Sequence, residues 1–261
     1  MKNKDLKKFY DGVYKRGERK HYSKLLFGEK ITEEKKAILG AVSWKGKRVL
    51  DIGCGTGELA FYVAQQGADE VVGIDYSPSA ITVAKDSYAR TNLMFECMDV
   101  SNISGTFDVI TIVGVLEHID EPLALLHKAK KLLRPKGSII VTCPNWSNPR
   151  GYILQTLRFL FGARVTLVDI HYFTPVFFLE AAKKLSLALS WRTIERSWGH
   201  GEKMLNDLEK RLPNVLKDIK GAKKAKDIEA FIAYLKKEML PLEKGNEAVG
   251  ATGFYHFTKG K

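Results

Sequence analysis

The stretch that most constrains this chain is "VLDIGCGTGELAF", residues 49–61. A short apolar run ends near Asp51, Gly53, Gly55 and Gly57 follow at alternate positions, and a helix-forming run starts at Glu58. Glycine presents no Cβ and enters positive φ without strain, so such a loop lets a ligand touch main chain. The helix behind it offers unpaired N–H groups and positive dipole character. A strand, a glycine loop and a helix in that order open an α/β sheet whose ligand lies across the carboxyl ends of the strands.

The pattern that follows agrees. "RVLDIG", "EVVGID", "NLMFECMD", "FDVITIVG" and "GSIIVTCP" read as buried strands. Between them, "ELAFYVAQQG", "SPSAITVAKDSYAR" and "EPLALLHKAKKLL" read as helices, the second with Ser77 as N-cap and Pro78 in its first turn. Repeated β–α units predict a parallel sheet with helices on both faces. After Pro144 the rhythm breaks. Residues 145–173 read as an irregular stretch rich in aromatics. Thr174 and Pro175 then cap and open a helix, and "SWRTIERSW" and "TGFYHFTK" read as two more strands. Residues 202–247 read as a charged helical insert whose Leu205, Leu208, Leu212, Leu216 and Ile219 recur at helical spacing, with Pro213 interrupting the run. The expected division is a basic helical cap over 1–45, a Rossmann-like domain over 46–201 and 248–261, and the insert between its parts.

Bulk properties narrow the field. The longest apolar run, "VITIVGVL", falls far short of the ~20 residues of a membrane-spanning helix. The charged start lacks the apolar stretch of a signal peptide, so the expectation is a soluble protein. Cys54, Cys97 and Cys143 are widely spaced and show no zinc-binding pattern, which suits a reducing, cytoplasmic setting and gives no metal ligands. Net charge is +12, concentrated in the flanks: residues 1–48 carry 15 Lys+Arg against 6 Asp+Glu. That balance suits an anionic partner such as RNA, or simply solvated helix faces; no RNA-binding motif accompanies it.

Spacing separates the possible ligands of the glycine loop. A dinucleotide fingerprint is G-x-G-x-x-G, whereas here Gly57 comes one residue early and Glu58 stands at the third glycine position. A phosphate-binding Gly-Lys-Ser/Thr loop is absent. "VLDIGCGTG" instead resembles the first motif of class I S-adenosylmethionine-dependent methyltransferases, and four further motifs follow in order over roughly residues 46–145. The resemblance implies a seven-stranded sheet of order 3-2-1-4-5-7-6 with the last strand antiparallel. It implies S-adenosylmethionine as cofactor. Asp75, which ends the second strand, would lie at the ribose with its neighbour Tyr76. Asp99 would accept from the adenine amino group and the Val100 N–H would reach a ring nitrogen. Main chain around Val113 would line the methionine end, and Asp51 would lie near its ammonium. Taken singly, Asp75 and Asp99 can also cap the turns that follow them.

Methyl transfer to a protonated nucleophile needs a base, and Glu117, His118 and His171 are the candidates. "LEHI" resembles the corresponding stretch of quinone-biosynthesis O-methyltransferases. Those enzymes carry a further Glu three residues earlier that suits a divalent cation, whereas Gly114 stands here, which speaks against a metal role. Glu117 and His118 can equally hold their loop by hydrogen bonds, and His171, in "DIHYFTP", can be a base, a substrate contact or a strut. The expected function is methyl transfer to a small molecule, at oxygen before nitrogen or carbon. The alternatives are an RNA-directed enzyme and a non-catalytic S-adenosylmethionine-binding subunit. The basic amino-terminal portion, with Tyr22, the aromatic stretch and the insert are the three candidate lids.

Overall fold

The computed structural model describes residues 31–166, 168–219, 228–229, 232–233 and 249–260. Most of the expected amino-terminal cap, including Tyr22, and much of the insert lie outside the described residues. Helix α1 (Glu33–Leu39) comes first, with the Thr32 hydroxyl accepting from Lys35 N at its start. Then β1 (Arg48–Ile52), α2 (Glu58–Gln65), β2 (Glu70–Asp75), α3 (Pro78–Ser87), β3 (Leu93–Cys97), β4 (Phe107–Val113), α4 (Pro122–Leu132) and β5 (Leu133–Pro144) alternate as the sequence predicts. Ser77 caps α3 through its hydroxyl, which accepts from Ala80 N at 3.3 Å.

The sheet has seven strands in the order β3-β2-β1-β4-β5-β7-β6, where β6 is Ala188–Ile194 and β7 is Thr252–Thr258. Strands β1 to β5 pair in parallel, and β7 lies antiparallel between β5 and β6. The carboxyl ends of β1 to β6 therefore share one edge. The sheet separates two cores. Leu50, Ile110, Ile112, Leu126 and Phe178 fill one face; Val49, Val71, Ile140, Ala60 and Trp44 fill the other. Each fully buried aliphatic or aromatic side chain contributes roughly 1.5–3 kcal/mol. Tyr255 of β7 stacks on Phe178 with ring centroids 3.6 Å apart, which fixes α6 (Pro175–Leu185) against the strand.

Four details depart from the sequence reading. Residues 145–173 are not wholly irregular: α5 spans Pro149–Phe161, with Asn148 Oδ1 accepting from Gly151 N at 2.7 Å. Thr174 stands at the start of α6 but makes no side-chain cap bond. Strand β3 stops at Cys97, so Asp99 begins the 3₁₀ turn Val100–Asn102 rather than ending the strand. After a short helix α7 (Arg196–Gly199), Pro213 lies inside α8 (Glu202–Val215) instead of interrupting it. A proline in the last turn costs the single bond it would have donated there, while Leu212 and Val215 beside it stay buried. The leucine stripe of α8 packs with α5 and its flanks: Leu205, Leu208 and Leu212 join Trp146, Leu154 and Val165 in a third core. Arg150 Nε donates to Asp207 at 2.8 Å and ties the two helices together. No helix among the described residues is long and apolar enough to cross a membrane.

Candidate functional site

The glycine loop bends away from the end of β1 because its residues sit where other side chains are strained. Gly53, Gly55 and Gly57 have φ of 72°, 53° and 84°. Two of the three are also needed for packing. A Cβ on Gly53 would stand 2.4 Å from Val115 Cγ2, and one on Gly57 would stand 2.4 Å from the Phe95 ring. The side chains excluded at these two positions thus make room for this protein's own residues as well as for a ligand. Gly57 then serves as the left-handed start of α2.

Three acids stand at the carboxyl ends of the first three strands: Asp51 within β1, Asp75 as the last residue of β2, and Asp99 two residues past β3. Asp51 is buried beneath the loop and accepts from the Thr111 hydroxyl at 2.6 Å. Burial lifts its carboxyl to about 6, against the opposing pull of the Thr111 bond, and nearby Asp75 adds to the rise. Asp75, 9% exposed, accepts from Gly55 N at 3.0 Å through Oδ2 and from Ser77 N at 2.8 Å through Oδ1. It therefore fixes the glycine loop and opens α3 at once. Asp99 is exposed, and bonds from the Ser101 side chain and from Ser101 N, the latter at 2.8 Å, hold its carboxyl below the usual range. Both turn-capping roles anticipated for Asp75 and Asp99 exist. Tyr76 follows Asp75 half-buried, and Val100 opens the 3₁₀ turn after Asp99.

A different chemistry gathers at the ends of β4 to β6. Val113 ends β4, Gly114 N donates to Thr142 O on β5, and Val115 leans on Gly53. The 3₁₀ turn Leu116–His118 carries Glu117 and His118. Glu117 is 3% exposed, and its Oε2 has no hydrogen-bond partner. Burial lifts its carboxyl to about 8, and the charges of Asp169 and Glu34 push the same way. His118 Nδ1 lies 3.5 Å from Asp169 Oδ1 and its Nε2 lies 3.9 Å from Glu117 Oε1. Burial pulls His118 below its ordinary range. His171 Nε2–H donates to Ile119 O at 2.7 Å, and its ring stacks on Phe173. The backbone N–H groups of Ile170 and His171 both donate to Glu117 O. Thus His171 anchors the segment before α6 to the turn after β4.

Sequence reasoning did not single out Glu34, Lys35, Asp169 or Thr142. Lys35 of α1 forms an ion pair with Glu58, the first residue of α2. Glu34, its neighbour, faces the other way, toward Thr142 and Glu195. Helix α1 therefore straddles the sheet edge from the glycine loop to the end of β5. Nothing local in "ITEEKKAILG" distinguishes these residues from an exposed charged turn. Asp169, two residues before His171 in "VDIHYF", had a visible signal in that proximity. Among the described residues, no three His, Cys, Asp or Glu side chains converge as a metal-ligand set.

Comparison with known proteins agrees with this geometry. A family model described as a methyltransferase domain matches residues 23–192. Ubiquinone biosynthesis O-methyltransferase of Neisseria meningitidis serogroup C (strain 053442) is 34% identical over 123 residues, covering 44% of this chain and 51% of that protein. The enzyme of the same name from Coxiella burnetii (strain Dugway 5J108-111) is 35% identical over 115 residues, covering 42% and 49%. The chain thus spans about half the length of the curated relatives it matches. Among solved structures, magnesium protoporphyrin IX methyltransferase from Synechocystis PCC 6803 aligns with a TM-score of 0.60 at 12% identity, over 98% of this chain and 99% of that one. An S-adenosylmethionine-dependent methyltransferase from Mesorhizobium loti aligns at 0.55 and 16% identity, over 87% and 96%. At such identities these likenesses speak for the fold. The family match spans the glycine loop, the acids at the ends of β1, β2 and β3, and the turn that carries Glu117, and the chain belongs to the methyltransferase domain family.

Proposed function

We propose that this protein is an S-adenosylmethionine-dependent methyltransferase acting on a small molecule. The observation that carries the reading is the row of acids around the glycine loop at the carboxyl ends of three adjacent parallel strands: Asp51 is the last residue but one of β1, Asp75 ends β2, and Asp99 stands two residues past β3. The donor set suits the cofactor. Asp75 would receive the ribose hydroxyls, Asp99 the adenine amino group, with Tyr76 and Val100 beside them, and Asp51 would face the ammonium. Main chain at Val113, beside Gly53 and Gly55, would line the methionine end. The O-methyltransferase names of the curated relatives and the family match support the same class.

When bound, S-adenosylmethionine supplies a methyl on a positively charged sulfur, ready for in-line displacement. What remains for the chain is alignment and exclusion of water, where effective molarity contributes on the order of 7–11 kcal/mol. Helix α1 suits that task, pinned at both ends of the site by Lys35 and Glu34. Glu117 is the base we favour among the three candidates, because its proton affinity lies near neutral pH. His118 and Asp169 would orient it, and His171, with Nε2 engaged by Ile119 O, would act as a strut. Free cysteines suit a reducing compartment, and we place the protein in the cytoplasm.

The test is calorimetric titration with S-adenosylhomocysteine, followed by labelled methyl transfer into a metabolite extract. The reading expects saturable one-site binding and a labelled small product. No binding, or label appearing only in RNA, would reject it. His171→Ala should slow transfer only to the extent that the Glu117 turn loosens, and the conservative His171→Asn should restore part of the rate.

A further inference from the structure

Near the ends of β4, β5 and β6, four acids from four separate stretches of chain lie within electrostatic reach of one another in a row: Asp169 before α6 and Glu34 on α1 both act on Glu117 after β4, and Glu195 after β6 acts on Glu34. In a chain of net charge +12, composition does not account for an acidic cluster here. Two of the four are balanced by the protein itself. Asp169 lies beside His118 and is acted on by the charges of Arg150 and Arg211. Glu195 accepts from the Thr252 hydroxyl at 2.5 Å.

Glu117 and Glu34 are not balanced in that way. Among the described residues, the charged groups acting on Glu117 are Asp169 and Glu34, both acids, and its neighbour His118 is itself held toward neutrality by burial. Its Oε2 is fully buried without a partner. Glu34 faces Glu195, and the one cation among the described residues that acts on it is the adjacent Lys35, which is already paired with Glu58. A second buried group points to the same place: Thr142 Oγ1, on β5, lies beside the Glu34 carboxyl without a hydrogen bond of ordinary geometry. The cluster also has a way in. Gly114 is exposed, and a Cβ built on it would stand 3.8 Å from Glu117 Oε1, so the buried carboxyl turns back toward an open position at the end of β4.

Buried polar atoms left without partners are costly, and native chains keep few of them without a purpose. A neutral hydroxyl would satisfy one lone pair and leave the acids facing each other. An ammonium brings three N–H donors and the missing positive charge. We propose that the small molecule received by this site carries a basic amino group, bound as its ammonium between Glu117 and Glu34 beside Gly114. This rests on reading the strand ends as a methyl-transfer site. Because burial keeps Glu117 largely protonated at neutral pH, arrival of a cation beside it favours the carboxylate and expels a proton.

The probes are benzylamine and its uncharged isostere benzyl alcohol, titrated calorimetrically at pH 7 in two buffers of different ionisation enthalpy. Each titration is run with and without saturating S-adenosylhomocysteine. The proposal expects benzylamine to bind at least tenfold tighter than benzyl alcohol and to release protons. Glu117→Gln should abolish both the preference and the proton release. Glu34→Gln, on the separate helix α1, should reduce the preference severalfold. Equal affinities for the two probes, amine binding unchanged in Glu117→Gln and Glu34→Gln, or no amine binding while S-adenosylhomocysteine binds would each overturn it. Absence of S-adenosylhomocysteine binding would instead overturn the methyl-transfer reading, and the amine preference would still be decided by the titrations run without it.

Discussion

The two halves of the strand-end row are built differently. At β1 to β3 the acids are already held by their own chain: Thr111 bonds Asp51, Gly55 and Ser77 bond Asp75, and Ser101 bonds Asp99. At β4 to β6, Glu117 keeps a buried oxygen without a partner, and Glu34 reaches the same place from a different helix. The first half is a finished cradle whose shape exists before any ligand comes. The second leaves a buried polar atom without a partner, which a ligand can supply. A shared cofactor explains a preformed half, and an acceptor that differs from enzyme to enzyme explains a half assembled from distant segments.

Substitutions in each half sharpen that contrast. The largest effect should come from Gly53→Ala. Positive φ and the clash with Val115 together should cost about 4 kcal/mol of stability, read by urea denaturation. Adding Val115→Ala should recover only the steric part; full recovery would mean that backbone strain is absent. Next is Glu117→Gln. A carboxyl whose proton affinity is higher in the folded state makes stability fall as pH rises, here from its unfolded value near 4.3 to about 8. The variant should remove that slope and be more stable than the parent at pH 8, measured by thermal melts across pH. An unchanged slope would mean that Glu117 has a partner.

Smaller effects belong to the finished half. Asp75→Ala should weaken S-adenosylhomocysteine binding by ~1.5–3 kcal/mol, through lost bonds to a charged acceptor and a loosened Gly55. Unaltered calorimetric affinity would remove Asp75 from the ribose. Thr111→Val should cost about 1 kcal/mol at pH 8, where Asp51 is ionised, and less at pH 5, where it is largely protonated. A penalty independent of pH would show that the Thr111 bond does not serve the charged form.

The same division governs what the sequence discloses. Gly53, Gly55 and Gly57 stand within one strand–loop–helix unit, and Asp75 and Asp99 stand at the ends of the next two strands, so spacing makes the row visible, while the cofactor roles of these residues are what the family resemblance implies. The parallel sheet follows from the repeated units, and its strand order, which the fold bears out, from the family resemblance. What escapes is contact over distance. Glu34 meets Thr142 across more than a hundred residues, and Val115 and Phe95 explain two of the glycines only once the sheet is folded. Helix α5 was missed although Asn148 and Pro149 are good start signals, because aromatic side chains crowd the stretch and blur its apolar period. Pro213 shows the opposite error: a helix breaker near the last turn is outweighed by leucine burial against α5.

The central claim is that the edge formed by β1 to β4 holds a nucleoside amino acid against the glycine loop. A crystal structure of the protein with S-adenosylhomocysteine tests it most directly. The account predicts the ribose at Asp75, the adenine at Asp99 and Val100, and the sulfur facing Gly114 and Glu117. Density for the compound at another edge of the sheet, or Asp75 and Asp99 making only their present turn bonds in the complex, would contradict it.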